Sequence, residues 1–318
     1  MRLDNEVQTL LDALNAGFPR VEKMTGAEAR AAVQARKQVA ANPDPVQSVT
    51  DTVIAGPGGP LSLRLYQPCI DPRSSGTGAA TPKPAIVFAH GGGFVFCDLD
   101  SHDEFCRAIT NAVGAVVVSV DYRLAPEHPA PAAALDVHAA LSWVRAHAGD
   151  LGVDLTRVVV AGDSAGGNLA AVTALIDREG AGPALAGQVL IYPVIDNDFD
   201  TPSYLKYAEG YFNTRDAMRW YWQQYAPAGV HNTAHPHHIS PARADTLGGL
   251  PPTIIITAAC DPLRDEGIAY AERLRTAEVL TIHRCYEGVF HGFMTIPSLT
   301  ITGQARTRLW ADLAKVLD

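Results

Sequence analysis

From residue 85 onward the chain alternates short, almost wholly apolar runs with stretches of helical spacing. Ala85–Ala89, Ala115–Val120, Arg157–Ala161, Gln188–Tyr192 and Thr253–Thr257 read as strands. Helices are expected between and after them: from near Ser101, where Ser101 and Glu104 have capping-box spacing, from near Pro131, from Ser164, over Glu266–Thr276 and over Thr302–Val316. Strands that are apolar on both faces and alternate with helices belong to a parallel sheet covered on both sides. The predicted fold class is therefore α/β, with a mostly parallel central sheet flanked by helices.

Two regions depart from that rhythm. Residues 1–45 read as helix, with Leu10, Leu11 and Leu14 at helical spacing and Thr25-Gly-Ala-Glu28 as a capping box, up to the double-proline stop at Asn42-Pro-Asp-Pro45. Residues 48–54 and 61–66 then alternate as a hairpin, and Asp71–Pro84 reads as a surface loop. The second departure lies at about 197–236, after a strand end. It is rich in aromatic residues, holds one clear helix at Asp216–Tyr225, and occupies the position where α/β sheets carry their binding loops. Trp220, Tyr221 and Trp222 must point in different directions on that helix, so some pack it down and some line a pocket.

Composition narrows the partners. At 318 residues and 47% hydrophobic content the chain is long and apolar enough to bury a full core. The formal charge is −9 and no run of Lys or Arg makes a phosphate-binding stripe, so nucleic acid is not an expected partner. The absence of an apolar run near the roughly 20 residues of a membrane span argues against membrane insertion. The N-terminal MRLDNEVQTLLDAL lacks a signal-peptide core, and the expected location is cytoplasmic. Five irregularly spaced cysteines suggest reduced thiols rather than a disulfide framework or a zinc knuckle. A homodimer is left open.

The chemistry is carried by Gly162-Asp-Ser164-Ala-Gly166, which follows the strand Arg157–Ala161 and opens a helix. In that setting G-x-S-x-G is a sharp turn that lifts a serine hydroxyl clear of the backbone, above a helix N-terminus that favours negative charge. A serine needs a base, and the base needs an orienting carboxylate. Asp261 lies just past the strand Thr253–Thr257, and His291 lies past the strand-like Thr281–Tyr286. Of the 11 histidines, His291 alone follows both the serine and a strand-end aspartate; His283 falls within the last strand. Asp265 is the rival acid and is expected to cap the next helix instead. His90-Gly-Gly-Gly93 follows the strand Ala85–Ala89 and offers backbone N–H groups for an oxyanion hole, with Ala165 N–H as a further donor.

With these residues in hand the chain resembles the hormone-sensitive-lipase group of carboxylesterases, family IV among bacterial esterases. The resemblance runs from about residue 45 to the end. It is carried by HGGGF at 90–94, DYRLAPEHPAPAA at 121–133, GDSAGGNLA from Gly162, DPLRDEG at 261–267 and HGF at 291–293. It implies an α/β-hydrolase fold with a helical cap, formed by residues 1–45 and an insertion at about 197–236 in a catalytic domain spanning 46–318. It also implies a triad of Ser164, Asp261 and His291, and an oxyanion hole from Gly92, Gly93 and Ala165. His90, Tyr122, Arg123 and Glu127 are implied as supports of the oxyanion loop, while Phe94, Tyr211 and Phe212 are candidate pocket residues. Cys97 departs from the family, which often has glycine there; the thiol is expected to be an inert side chain.

The expected activity is hydrolysis of short- to medium-chain acyl esters, with a small-molecule ester as partner and no cofactor or metal. Two other readings stay open: hydrolysis of arylamides by the same triad, and a non-catalytic small-molecule receptor on the same fold, against which the presence of His291 argues. His231, His235, His237 and His238 cluster in HNTAHPHH, but no carboxylate stands at ligand spacing and Pro236 interrupts any helix that would align them. That segment is expected to be a loop leading back to the core.

Overall fold

The computed structural model describes residues 3–37, 43–69, 81–180 and 182–318. Its strands, β1 (Ser48–Gly56), β2 (Gly59–Gln67), β3 (Lys83–Ala89), β4 (Val116–Val120), β5 (Val153–Asp163), β6 (Gly187–Ile191), β7 (Thr253–Cys260) and β8 (Thr281–Phe290), form one sheet in the order β1-β2-β4-β3-β5-β6-β7-β8. The six strands from β3 to β8 run parallel; the β1–β2 hairpin is added antiparallel at one edge, β2 pairing with β4. The helices are α1 (Asn5–Gly17), α2 (Gly26–Gln34), α3 (Asp103–Val113), α4 (Ala132–Ala146), α5 (Ala148–Leu151), α6 (Ala165–Arg178), α7 (Pro202–Lys206), α8 (Arg215–Tyr225), α9 (Arg264–Thr276) and α10 (Thr300–Leu317).

Strand side chains alternate between faces, so a strand apolar throughout feeds two cores. Val87, Val118 and Val160 join the core under α4, α6 and α9, where Val137, Leu141, Leu169, Val172 and Leu274 are buried. Ile86, Phe88 and Val117 join the opposite core with Phe105 and Ile109 of α3 and Leu309 and Leu313 of α10. β3 and β5 are neighbours, yet the helices that follow them, α3 and α6, lie on opposite faces. A crevice opens where two such connections diverge, at the carboxyl ends of those strands. The loops His90–Gly93 and Asp163–Ser164 stand on its two sides.

Over that crevice lie the N-terminal helices and the 197–236 region. Asn15 of α1 donates to Gly210 O at 2.8 Å and accepts from Phe212 N at 3.0 Å, and Trp220 Nε1 of α8 donates to Met24 O at 3.1 Å. Phe18 meets Phe212 edge-on, with ring centroids 5.0 Å apart. Two stretches far apart in sequence are thus clasped into one roof.

The local expectations divide. The Thr25–Glu28 capping box is present in full, both of its reciprocal bonds made. The Ser101–Glu104 box is not. Ser101 instead closes a turn on Asp98, α3 starts after His102, and Glu104 is drawn away by Arg306. Nor does Asp265 cap α9: Leu263 holds the cap position, and the Asp265 carboxylate accepts from Ser203 N at 2.8 Å, fastening α7 to the Asp261 loop. Helix in the N-terminal segment ends at Gln34, and Asn42 of the double-proline stop lies outside the described residues. Most of the expected 71–84 loop does too, while Lys83 and Pro84 are already strand. No helix among the described residues is long and apolar enough to cross a membrane.

Arg306 ties α10 to the site. Its guanidinium makes two bonds to Glu104 of α3, at 2.6 and 2.8 Å, and its Nε donates to Met294 O in the turn just after His291. Arg306→Met leaves these acceptors without their donor and is expected to lower unfolding free energy by about 1–3 kcal/mol in urea titrations. An unchanged midpoint would remove this anchor from the account.

Candidate active site

Ser164 sits between β5 and α6 at φ 56°, ψ −118°, a region L-residues rarely occupy, and its own N–H donates to Ile191 O at 2.8 Å. The conformation persists because the chain on either side packs without side chains. A Cβ at Gly166 would collide with the Ala89 carbonyl, and one at Gly162 with the Gly166 carbonyl. Within this turn the strained residue is Ser164, held from both ends, and strained backbone of this kind clusters at functional sites.

His291 follows β8 directly, and its loop turns at Gly292, φ 88°. Its Nε2 is 2.8 Å from Ser164 Oγ and its Nδ1 is 2.7 Å from Asp261 Oδ2. The other Asp261 oxygen accepts from Leu263 N at 3.0 Å, which fixes the carboxylate plane. All three side chains are buried, and Tyr192 packs against the imidazole with ring centroids 4.8 Å apart. His283, by contrast, lies within β8 and meets Thr257 Oγ1 at 3.0 Å.

Across the crevice, Gly92 has φ 119° and faces the Phe96 carbonyl closely enough to exclude a side chain. Among the described residues, no protein acceptor takes the backbone N–H of Gly92, Gly93 or Ala165. His90 is buried, its ring stacked on Tyr122 at 4.3 Å between centroids, and the Tyr122 hydroxyl donates to His90 O at 2.8 Å. Burial, helped by the neighbouring His102, lowers the His90 imidazole to about 4, so the ring is neutral. Arg123 grips Asp136 of α4 through two guanidinium nitrogens and, among the described residues, makes no hydrogen bond to the glycine loop. Glu127 acts at one remove: it pairs with Arg30 of α2 at 2.7 Å, and Arg30 donates to Val95 O and Ala125 O.

Two residues of this arrangement carry no motif role in the sequence. The Asp163 carboxylate, next to Ser164, accepts from Gly91 N at 2.8 Å and stands 3.1 Å from His102 Nε2. Burial alone would raise its pKa, but His102 and the Gly91 N–H outweigh that and hold it below the ordinary carboxylate range. Asp163 therefore couples the serine turn to the glycine loop. A buried carboxylate beside a nucleophile must find partners, and that rule was the available signal.

A cavity of about 410 Å³ opens from Ser164 and His291 toward the roof, within the usual range for small-molecule pockets. Phe18, Phe96, Phe212, Met218 and Tyr221 give it apolar walls, and Phe94, whose ring stacks on Tyr225 at 3.8 Å, also contributes. Tyr211 does not line it. Although adjacent to Phe212, it turns away and packs edge-on against Tyr207 at 4.8 Å. Of the three consecutive aromatics on α8, Tyr221 faces the cavity while Trp220 and Trp222 pack elsewhere.

A sheet with this strand order and a serine turn at the end of β5 calls for comparison with known proteins. Residues 86–295 match the family described as α/β hydrolase fold. The chain belongs to the α/β-hydrolase family. Its similarity to the esterase LipI of Mycobacterium tuberculosis is 42% identity over 252 residues, covering 79% of this chain and 76% of the relative. With the ethyl acetate hydrolase of Pseudomonas putida it shares 34% identity over 94% of both chains. An ester hydrolase from the metagenome of Lake Arreo, solved with a bipyridine phosphonate derivative, superimposes with a TM-score of 0.88 at 37% identity, covering 98% of each chain. This α/β hydrolase is a carboxylic ester hydrolase of the hormone-sensitive-lipase type.

Cys97 lies in the cavity wall of the hydrolase at φ 70°. Burial pushes its thiol up to about 12. Because the thiolate is the reactive form, iodoacetamide near neutral pH is expected to leave ester hydrolysis unchanged and the Cys97 peptide unlabelled by mass spectrometry. Loss of activity in step with label at Cys97 would contradict this.

Proposed function

We propose that this hydrolase cleaves short- to medium-chain acyl esters through an acyl-enzyme on Ser164. The observation that carries the reading is the aligned relay Ser164–His291–Asp261, at 2.8 and 2.7 Å, opening onto a bounded apolar cavity. His291 Nε2 takes the Ser164 proton as Oγ attacks the ester carbonyl, and the Nδ1–H bond to Asp261 holds the imidazole in the tautomer that can accept it. The oxyanion is received by the N–H groups of Gly92, Gly93 and Ala165, whose lack of protein acceptors supports that role. His291 then returns the proton to the departing alcohol. Water repeats the sequence on the acyl-enzyme and releases the acid, so no proton or electron is left over.

The rest of the arrangement supports this chemistry through rigidity. Asp163 and the stacked His90–Tyr122 pair hold the glycine loop, and Arg30 extends that support to the N-terminal helices, which we assign with the 197–236 region to a cap. The walls set by Phe18, Phe212 and Met218 bound the acyl chain. A receptor on this fold would have no use for a serine hydrogen-bonded to an oriented histidine.

The test is initial rates on p-nitrophenyl esters of increasing acyl length. Rates are expected to be highest for short and medium chains and to fall for dodecanoate and beyond, with Met218→Ala moving the preference toward longer chains. Ser164→Ala or His291→Ala is expected to lower kcat by about 10⁶, and Asp261→Asn by about 10⁴, with circular dichroism unchanged. Substantial turnover in Ser164→Ala would sink the mechanism, and turnover of arylamides but no ester would move the assignment to amide hydrolysis.

A further inference from the structure

The chain returns from the 197–236 region to the core through His231–Ser240, a segment the ester chemistry does not use. Pro236 does not scatter its histidines. It begins a single 3-10 turn, Pro236–His238, which gathers His235, His237 and His238 so that one ligating atom from each lies within 4.8 Å of the others. The His235 and His238 rings stack with centroids 4.8 Å apart, and His237 stands nearly perpendicular to His238 at 4.5 Å. The carboxylate missing from the local sequence arrives from 58 residues away. Glu179, at the C-terminal cap of α6, places one oxygen 3.1 Å from His237 Nε2 and the other 3.6 Å from His238 Nε2. His238 Nε2 is shielded from solvent and has no hydrogen-bond partner among the described residues.

We propose that His235, His237, His238 and Glu179 form a site for a divalent transition-metal ion of the zinc class, fastening the end of the 197–236 region to the nucleophile-bearing helix. Imidazole nitrogens and carboxylate oxygens bind zinc at about 2.0–2.2 Å in tetrahedral array, which sets two donors on one ion roughly 3.3 Å apart. The 3.1 and 3.6 Å spacings bracket that value, while the histidine donors lie up to 4.8 Å apart with the His235 and His238 rings stacked, so binding an ion requires those rings to rotate and draw together. A cation at the end of α6 meets the negative end of the helix dipole. Four protein ligands leave no open coordination position, so the site is structural. The 14 residues of α6, at about 1.5 Å each, put it about 20 Å from Ser164.

The test uses untagged, metal-free full-length protein titrated with Zn²⁺ by calorimetry and by competition with a chromophoric chelator. The Ser164→Ala protein is run in parallel, so that the outcome is independent of the esterase mechanism. We expect one Zn²⁺ per chain at micromolar or tighter affinity in both proteins, and a rise in Tm with Zn²⁺. Affinity should fall about tenfold or more in Glu179→Gln and further in the His235→Ala/His237→Ala pair, with His231→Ala unchanged. His235 is exposed, so His235→Ala alone serves as a variant expected to keep its fold, checked by circular dichroism. Absence of stoichiometric uptake, or uptake that survives His235→Ala/His237→Ala, overturns the proposal.

Discussion

Everything in this site depends on one backbone constraint: Ser164 held at positive φ between a strand and a helix that nearly touch. The close packing of Gly162, Gly166 and the Ala89 carbonyl does two things at once. It forces the serine side chain out of the sheet, and it brings the end of β3 alongside the start of α6. The glycine loop after β3 and the helix N-terminus after β5 then become neighbours, and among the described residues the N–H groups of Gly92, Gly93 and Ala165 have no protein acceptor.

Around this point the polar groups are arranged in layers, each fixing the one within. Asp261 is fixed by Leu263 N–H and in turn fixes His291; Asp163 is fixed by His102 and holds Gly91. Burial makes each layer consequential, since a carboxylate removed from water cannot exchange its partners cheaply. The loop of Asp261 is itself fastened to α7 through Asp265 and Ser203. The roof and the relay are therefore mechanically connected, although they come from different parts of the sequence.

The fold, and the meeting of Ser164, His291 and Asp261 at one sheet edge, were legible because both follow from short-range pattern. Apolar runs such as Ala115–Val120 announce a doubly covered sheet, and Ser164, Asp261 and His291 each follow a strand that ends on the same edge. What sequence misplaced depended on partners distant along the chain. Ser101 and Glu104 have the spacing of a capping box, but Arg306, some 200 residues on, takes the glutamate. Asp265 has the look of a helix cap, yet a backbone N–H from α7 claims it. Tyr211 and Phe212 are indistinguishable as pocket aromatics until the turn at 210–213 sends them opposite ways. The histidines at 235–238 lacked a carboxylate in sequence for the same reason: Glu179 arrives through the fold.

The clasp between Asn15 and the Gly210–Phe212 backbone separates what the molecule must keep from what it is free to change. Ser164, Asp261 and His291 stand at strand ends locked into the sheet, while much of the cavity wall is borrowed from two stretches joined by a few hydrogen bonds and ring contacts. A replacement at Asn15, Phe18 or Phe212 changes the cavity wall while leaving every strand end in place. A scaffold divided in this way lets the roof vary while the sheet edge beneath it keeps its shape.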